Sequence, residues 1–325
     1  MNELEDRFGR RFSYLRLSLT EACNYRCSYC LPDGYDGPSR GFLTRPEIGR
    51  VLRAFVDLGM TKLRLTGGEP SLRRDLIEII DDAANLDGIR KIAMTTNGVV
   101  LERKVSAWRD AGLTALNVSL DSLDPDRFAA VTGFDHHTSL LRGIDQALTL
   151  GFDSVKLNAV LLRGVNDDEL DGWLDYVRVR ALSMRFIELM RTGDNADYFA
   201  AHHLPASTVA AQLLARGWTR VARAPDAGPA IEYAHPDYRG KIGLIAPYAP
   251  NFCASCNRLR VTARGDLRLC LFGEFGVPLR GLLQDDADGE TLRARIAQQL
   301  GLKAAGHDLH RGNPGMTPHL ASVGG

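Results

Sequence analysis

An alternation of strand-like and helix-like segments over the first two thirds of the chain most constrains its fold. The predicted strands are 14–19, 62–66, 91–95, 115–120, 154–161 and 183–188. The predicted helices are 44–58, 75–86, 102–110, 140–150, 168–177 and 207–215. Such alternation predicts an α/β fold with a parallel sheet, either barrel-like or doubly wound, and functional groups at the carboxyl ends of the strands. Six units would form an incomplete (β/α)6, TIM-like barrel.

The pattern changes after about residue 216. Short strand-like runs at 218–222, 231–234, 241–245, 259–262 and 267–271 follow, separated by Gly and Pro, and a last helix is predicted at 291–300. A length of 325 residues allows a barrel-like domain with an appendage. We therefore predict a partial barrel at 1–216 and a smaller C-terminal α+β unit at 217–325 that covers the open side of the barrel.

Six cysteines form two local groups. The first, after the first predicted strand, has the pattern C-x3-C-x2-C and comprises Cys23, Cys27 and Cys30. The second has the pattern C-x2-C-x13-C and comprises Cys253, Cys256 and Cys270. The polar opening segment, and the lack of any apolar stretch of about 18 residues, predict a cytoplasmic protein. Thiols stay reduced there, which favours metal ligation over disulfides.

The spacing of the cysteines leaves two metal hypotheses open. Thiolates suit zinc, copper(I) or iron-sulfur clusters, and three of them would leave one iron of a cubane open for chemistry. Alternatively, the two C-x2-C pairs could form one structural zinc site, which would leave Cys23 and Cys270 unused. Two three-cysteine sites use all six residues, and we prefer that interpretation.

Other polar residues lie on or directly after predicted strands. Gly67 and Gly68 would let a ligand approach the backbone closely, and Glu69 could accept hydrogen bonds from a ligand ammonium. The polar strand ends 95–98 and 117–121 predict a ligand cavity. Six basic residues on or beside strands would converge inside a barrel and suit a polyphosphate: Arg16, Arg64, Lys156, Arg185, Arg258 and Arg260. Lys plus Arg equals Asp plus Glu at 40 each, so charge gives no evidence for a nucleic-acid or membrane partner.

The C-x3-C-x2-C loop and the GGEP segment at 67–70 together resemble the radical S-adenosylmethionine (SAM) superfamily. A longer ordered set resembles the GTP 3′,8-cyclase family within it, which acts in molybdenum cofactor (molybdopterin) biosynthesis. The set comprises LRLSLT at 15–20, CNYRCSYC at 23–30, LTGGEPSLRRD at 65–75, TTNG at 95–98, NVSLD at 117–121, RFIE at 185–188, the second cysteine group and the terminal Gly-Gly. This resemblance covers essentially the whole chain and implies the partial barrel of the radical SAM type.

The resemblance implies two [4Fe-4S] clusters, one on each cysteine group, with SAM as a further cofactor. It implies that SAM is bound by Tyr29, Gly68, Ser119 and Met190. It implies that GTP is bound by Arg16, Arg64, Thr95, Lys156, Arg258 and Arg260. The implied catalytic residues are Cys23, Cys27, Cys30, Arg258 and Arg260. Glycine-rich ends are normally disordered, but the family's Gly-Gly tail reaches the active site, which implicates Gly324 and Gly325.

The implied reaction converts GTP to (8S)-3′,8-cyclo-7,8-dihydroguanosine 5′-triphosphate. A 5′-deoxyadenosyl radical removes the hydrogen from C3′ of GTP, and methionine and 5′-deoxyadenosine are the other products. The implied partners are an external one-electron donor such as flavodoxin or ferredoxin and a downstream cyclic pyranopterin monophosphate synthase. A second copy of the chain in a homodimer is a further candidate partner. Two alternatives stay open: a radical SAM enzyme that modifies a peptide or other small molecule, and a non-catalytic scaffold stabilised by zinc.

Overall fold

One mixed β-sheet organises the protein. The computed structural model describes residues 4–38, 40–224, 227–273 and 276–324. The strands in these ranges are β1 (Tyr14–Ser18), β2 (Lys62–Thr66), β3 (Lys91–Thr96), β4 (Ala115–Ser119), β5 (Ser154–Leu161), β6 (Ser183–Glu188), β7 (Thr219–Arg220), β8 (Ile231–Ala234), β9 (Lys241–Ile245), β10 (Arg258–Val261), β11 (Asp266–Arg268) and β12 (Val277–Pro278). Their order in the sheet is β12-β11-β10-β1-β2-β3-β4-β5-β6-β9-β8-β7.

Helices follow most of the central strands. Those in the described ranges are α1 (Arg45–Asp57), α2 (Leu76–Ala84), α3 (Leu101–Asp110), α4 (Pro125–Thr132), α5 (His137–Thr149), α6 (Leu170–Arg178), α7 (Ala196–His202), α8 (Ala206–Ala215) and α9 (Gly289–Leu300). The first begins at a capping box, as its sequence predicts: the Thr44 side chain accepts from the Glu47 amide, and Glu47 accepts from the Thr44 amide. None of these helices is long and apolar enough to cross a membrane.

Alternation along the strands separates an apolar face from a polar one. On β1, Leu15 and Leu17 are fully buried in the hydrophobic core, whereas Arg16 lines a central cavity. On β2, Leu63 is likewise fully buried in the core and Arg64 lines the cavity. Successive side chains of a strand point to opposite faces, so one five-residue strand supplies both the core and the cavity wall.

The predicted six strands all form, in consecutive order and in parallel. The segment beyond residue 216 adds strands at both ends of this group. There β10 pairs in parallel with β1, and β9 pairs in parallel with β6. The remaining four strands form antiparallel edges. The boundary between residues 216 and 217 stays a prediction, since strands on both sides of it belong to one sheet.

Helices α4 and α7 and strand β12 were not predicted. The sequence did carry a signal for α4: the Asp124 side chain accepts from the amides of Asp126 and Arg127, and Pro125 starts the helix. Gly133 ends it in the left-handed region with φ of 69°. The very short strands have too few residues to show a period.

Candidate active site

The inner face of the sheet encloses a cavity of about 860 Å³. Both cysteine groups lie on its wall. The predicted site residues that line it are Arg16, Cys23, Cys27, Tyr29, Cys30, Arg64, Gly68, Thr95, Ser119, Lys156, Met190, Cys253, Cys256, Arg258, Arg260 and Cys270. The fold therefore brings residues from both halves of the chain to one space, of a size typical of sites for small molecules.

The first cysteine loop leaves the carboxyl end of β1 and packs against the loop after β2. A Cβ on Gly68 would lie 2.2 Å from the Ala22 carbonyl oxygen, so only glycine fits this contact. The Tyr25 amide donates to Cys23 Sγ at 3.5 Å. Burial raises the pKa of Cys23 to about 11 and that of Cys30 to about 12. Three thiols on one loop are a donor set that suits a metal cluster, because a bound metal would hold the thiolate form despite these raised pKa values.

All six cysteines are free thiols. In the part of the chain that the structure describes, no three Cys, His, Asp or Glu side chains form a group that could hold a metal ion. This observation and the cluster prediction concern different geometries. In a cubane each cysteine binds a different iron, so the three sulfur atoms surround a cluster instead of converging on one ion.

The second cysteine group has a more positive environment. Burial opposes it, but the charges of Arg258 and Lys303 lower the pKa of Cys256 below its ordinary value. Burial raises the pKa of Cys253. The loop is braced by Arg10, which donates to the Cys253 carbonyl at 3.1 Å and forms a buried ion pair with Asp6 at 2.6 Å. A braced loop with one thiol whose ionised form is favoured by nearby cations fits metal ligation.

Between the two cysteine groups the wall is rich in cations. Basic residues that line the cavity include Arg16, Lys62, Arg64, Lys91, Lys156, Arg185, Lys241, Arg258 and Arg260. Burial, with the charges of Arg185 and Arg64, lowers the pKa of Lys156 to about 7. Burial, with the charge of Arg258, lowers the pKa of Arg260 to about 10. Nη1 of Arg258 and Nη1 of Arg260 are buried and have no hydrogen-bond partner among the described residues. This wall has the charge and the open donors that a polyanion requires.

Sequence reasoning missed Tyr14 and Lys62 in this wall. Arg64 Nε donates a hydrogen bond to the Tyr14 hydroxyl, and Lys62 Nζ lies 4.7 Å from the Tyr14 ring centroid. Burial by itself would raise the pKa of Tyr14, but the charges of Arg64, Arg16 and Lys62 lower this pKa to about 7. The signal was present, because Tyr14 and Lys62 lie two residues before the predicted Arg16 and Arg64 and so share their face.

The opposite part of the cavity, near the first cysteine loop, holds a carboxylate network. Tyr29 donates to Asp121 Oδ2 at 3.0 Å, and Asp121 Oδ1 accepts from the Val160 amide at 2.8 Å. Burial raises the pKa of Asp121 to about 6. Asp121 lies two residues after β4, the strand that carries Ser119, and its hydrogen bond restrains Tyr29, the neighbour of Cys30 in the first cysteine loop.

Glu69 makes hydrogen bonds within the protein, and its contact with a ligand ammonium stays a prediction. Its carboxylate accepts from the Thr96 hydroxyl at 2.8 Å and from the Asn97 amide at 2.6 Å. It also accepts from the Ser71 amide at 2.9 Å. Glu69 thereby ties the end of β3 to the loop after β2, a contact within the protein.

The tail approaches the same cavity. The Gly324 carbonyl oxygen accepts from Arg16 Nη2 at 2.5 Å and from the Thr66 hydroxyl at 3.1 Å. Gly325 lies outside the described residues. In this structure Gly324 therefore contacts a residue of the cation-rich wall.

Comparisons with known proteins agree with this geometry. The family model for the radical SAM superfamily matches residues 17–177, and the model for molybdenum cofactor synthesis C matches residues 182–309. The chain is 64% identical over 326 residues to a GTP 3′,8-cyclase of Stenotrophomonas maltophilia (strain K279a), with all of both chains covered. It is 51% identical to a GTP 3′,8-cyclase of Vibrio atlanticus (strain LGP32), with 99% of this chain and 98% of the other covered.

Among solved structures, SuiB of Streptococcus suis bound to S-adenosylmethionine shares the fold. The TM-score is 0.61 at 14% identity, and the alignment covers 88% of this chain and 68% of SuiB. At that identity the likeness concerns the fold alone. It confirms the predicted fold class, a partial barrel of the radical SAM type with a C-terminal unit.

The fold and the cysteine loop define a radical SAM enzyme, whose superfamily implies a [4Fe-4S] cluster and SAM. Within that superfamily, the chain belongs to the GTP 3′,8-cyclase family of molybdenum cofactor biosynthesis. The resemblance noted in the sequence is thereby confirmed. The roles of individual site residues stay predictions.

Proposed function

We propose that this chain binds GTP and SAM in the central cavity and converts GTP to (8S)-3′,8-cyclo-7,8-dihydroguanosine 5′-triphosphate. The observation that carries the proposal is the arrangement of the cavity wall, where a cation-rich face lies between two groups of three cysteines. Each group leaves one position of a cubane for a small molecule. The cations between them suit the triphosphate of a nucleotide.

The first cysteine group would hold the cluster that binds SAM, with Tyr29, Gly68, Ser119 and Met190 around SAM. A reduced cluster and SAM, when bound, supply a 5′-deoxyadenosyl radical that removes hydrogen from C3′ of GTP. The chain contributes a fixed wall: Asp121 restrains Tyr29, and Gly68 lets the loop after β2 pack on the cysteine loop. Rigid support of this kind keeps the reacting atoms close, where small misplacements cost large factors in rate.

The second cysteine group would hold a second [4Fe-4S] cluster next to GTP. Arg258 and Arg260 lie on β10, which begins two residues after Cys256, and both line the cavity. Their partnerless Nη1 atoms offer hydrogen bonds to the nucleotide. Lys156, Arg64 and Arg16 are further donors. Arg64 Nη1 donates to the Thr95 hydroxyl at 3.0 Å, and this hydrogen bond orients Arg64 and Thr95, both predicted GTP ligands.

The partners are proposed on the same basis. Radical formation needs one electron from an external donor such as flavodoxin or ferredoxin, because no side chain of the protein is a reductant of that strength. The product would pass to a cyclic pyranopterin monophosphate synthase. Gly324, with its carbonyl on Arg16, would mark one wall of the nucleotide site.

Formation of 5′-deoxyadenosine tests the proposal. Anaerobically reconstituted, chemically reduced protein is incubated with SAM and GTP, with SAM and ATP, or with SAM alone, and the nucleoside products are separated. Stimulation by GTP alone, with a cyclised product, is expected. Formation that is indifferent to nucleotide would instead favour a peptide or other small-molecule substrate. No formation by iron-loaded protein would contradict the assignment of the first cysteine group.

A further inference from the structure

A carboxylate lies in the cation-rich part of the cavity. A site that binds an anion is expected to lack carboxylates, because their negative charge repels the ligand. Glu232, on β8, lines the cavity and its side chain is 22% exposed. Asp121 and Asp153 are the other carboxylates on the described wall. Asp121 accepts a hydrogen bond from Tyr29 near the first cysteine loop, and Asp153 is exposed. Glu232 is therefore the partly buried acid among the cations, and neither the fold nor the proposed chemistry explains it.

Glu232 is held by the wall of the cavity. Its Oε1 accepts from Arg185 Nη2 at 2.5 Å and from Arg185 Nε at 3.1 Å, and its Oε2 accepts from the Ser183 hydroxyl at 3.0 Å. Burial works in the opposite direction, but the charge of Arg185 with these hydrogen bonds lowers the pKa of Glu232. The carboxylate is therefore ionised at neutral pH, and it neutralises one cation of the wall.

The ion pair crosses an intervening strand. Gly243 on β9 is in register with Arg185 on one side and with Glu232 on the other. A Cβ on Gly243 would lie 2.9 Å from Arg185 Cγ and 3.4 Å from Glu232 Oε1. A side chain here would obstruct the contact, so the glycine leaves the gap through which the two side chains meet. The pair is thus built into the sheet register and does not depend on flexible loops.

We propose that Glu232 is an internal competitor of the nucleotide for Arg185. This inference rests on the proposed function, which brings a triphosphate to these cations. Without nucleotide, the carboxylate satisfies a guanidinium that is 10% exposed and would otherwise be buried unpaired. When a triphosphate binds, it must share or replace that hydrogen-bond partner, and part of the interaction energy is lost.

The competition has a use in the catalytic cycle. The proposed reaction changes the ribose and the base, so substrate and product carry the same triphosphate. Contacts to the phosphates bind both equally and do not accelerate the chemical step. The carboxylate of Glu232 weakens the binding energy that the phosphates give to substrate and product alike. It therefore limits how long the cations of the wall retain the product.

Glu232→Gln tests the inference, because glutamine keeps the size and one acceptor oxygen but removes the charge. Full-length, anaerobically reconstituted protein without reductant is titrated with GTP, and separately with guanosine, by calorimetry. The variant is expected to bind GTP about tenfold more tightly, the effect of one hydrogen-bonded charge. Guanosine affinity should change by less than about twofold, because guanosine carries no phosphate.

Asp145→Asn is a matched control. Asp145 pairs with Arg180 at 3.1 Å on the exterior, so the same loss of a carboxylate from an arginine should leave GTP affinity unchanged. Arg185→Gln supplies the second test: on that background, Glu232→Gln should change GTP affinity by less than about twofold, because the two residues act as one pair.

The outcomes separate this inference from the proposed function. Wild-type protein that binds no GTP contradicts the proposed function, and the inference falls with it. Wild-type protein that binds GTP, with Glu232→Gln equal or weaker, overturns only the inference and makes Glu232 a residue that orients Arg185. A tenfold effect that persists on the Arg185→Gln background also overturns it, because competition would then act elsewhere.

Discussion

Raising the pH above 7 is expected to weaken GTP binding. Lys156 and Tyr14 both line the cavity, and each has a pKa of about 7 in the free protein. For Lys156 the causes are burial and the charges of Arg185 and Arg64. For Tyr14 the charges of Arg64, Arg16 and Lys62 overcome the opposing effect of burial.

GTP binding is expected to change the pKa of both residues in the same direction. A triphosphate favours the cationic form of lysine and disfavours the anionic form of tyrosine, so it raises both pKa values in the complex. GTP binding therefore takes up protons, and its affinity is highest below the free-protein pKa and falls as the pH rises through it. Between pH 7 and 8 the protonated fraction of a group with a pKa of 7 falls about fivefold, which gives about 30-fold for two independent groups.

Calorimetric titration with GTP at pH 7, 7.5 and 8, in two buffers of different ionisation enthalpy, measures both the affinity and the protons taken up. Lys156→Arg and Tyr14→Phe each remove one titrating group and should each reduce the pH effect to about fivefold. An affinity that is independent of pH in the wild type, with no proton uptake, would refute the reasoning.

Three further outcomes are expected. Arg258→Ala and Arg260→Ala should each lower GTP-dependent formation of 5′-deoxyadenosine at unchanged iron content, and unchanged formation in both would remove them from the site. Cys270→Ala should lose about four irons per chain by iron analysis, whereas a metal content unchanged by the substitution would support the structural zinc hypothesis, in which Cys270 is unused. Gly68→Ala places a Cβ 2.2 Å from the Ala22 carbonyl oxygen and should destabilise the protein to urea by about 1–3 kcal/mol. Gly281→Ala, where a Cβ meets nothing within 4 Å, is its control, and equal stabilities would contradict the packing argument.

Local pattern was enough to predict the six central strands and the cavity face of β1 and β2. On β1 and β2 leucines alternate with polar or basic residues, so the period and the cavity face are fixed by neighbours in sequence. The motif spacing also identified both cysteine groups, which the structure places on the cavity wall. Tyr14 and Lys62 could have been included by the same alternation.

Pairing between distant segments could not be predicted in this way. Nothing in the sequence near β10 specifies that it lies beside β1, because register depends on the packing of the whole sheet. The Arg185 and Glu232 pair is 47 residues apart in sequence and depends on Gly243 in a third strand. Helix α7 has no cap made by a side chain, and it offered little local signal.

The position of β1 within the sheet has a consequence for synthesis on the ribosome. Its partner on one side, β2, follows within about 45 residues, but β10 begins about 240 residues after β1 ends. At a synthesis rate of about 5–20 residues per second, the edge of β1 that later pairs with β10 stays unpaired for roughly 12–50 s. An unpaired edge strand is a template for aggregation. The nascent chain thus exposes the edge of the strand that leads into the first cysteine loop until most of the protein has been made.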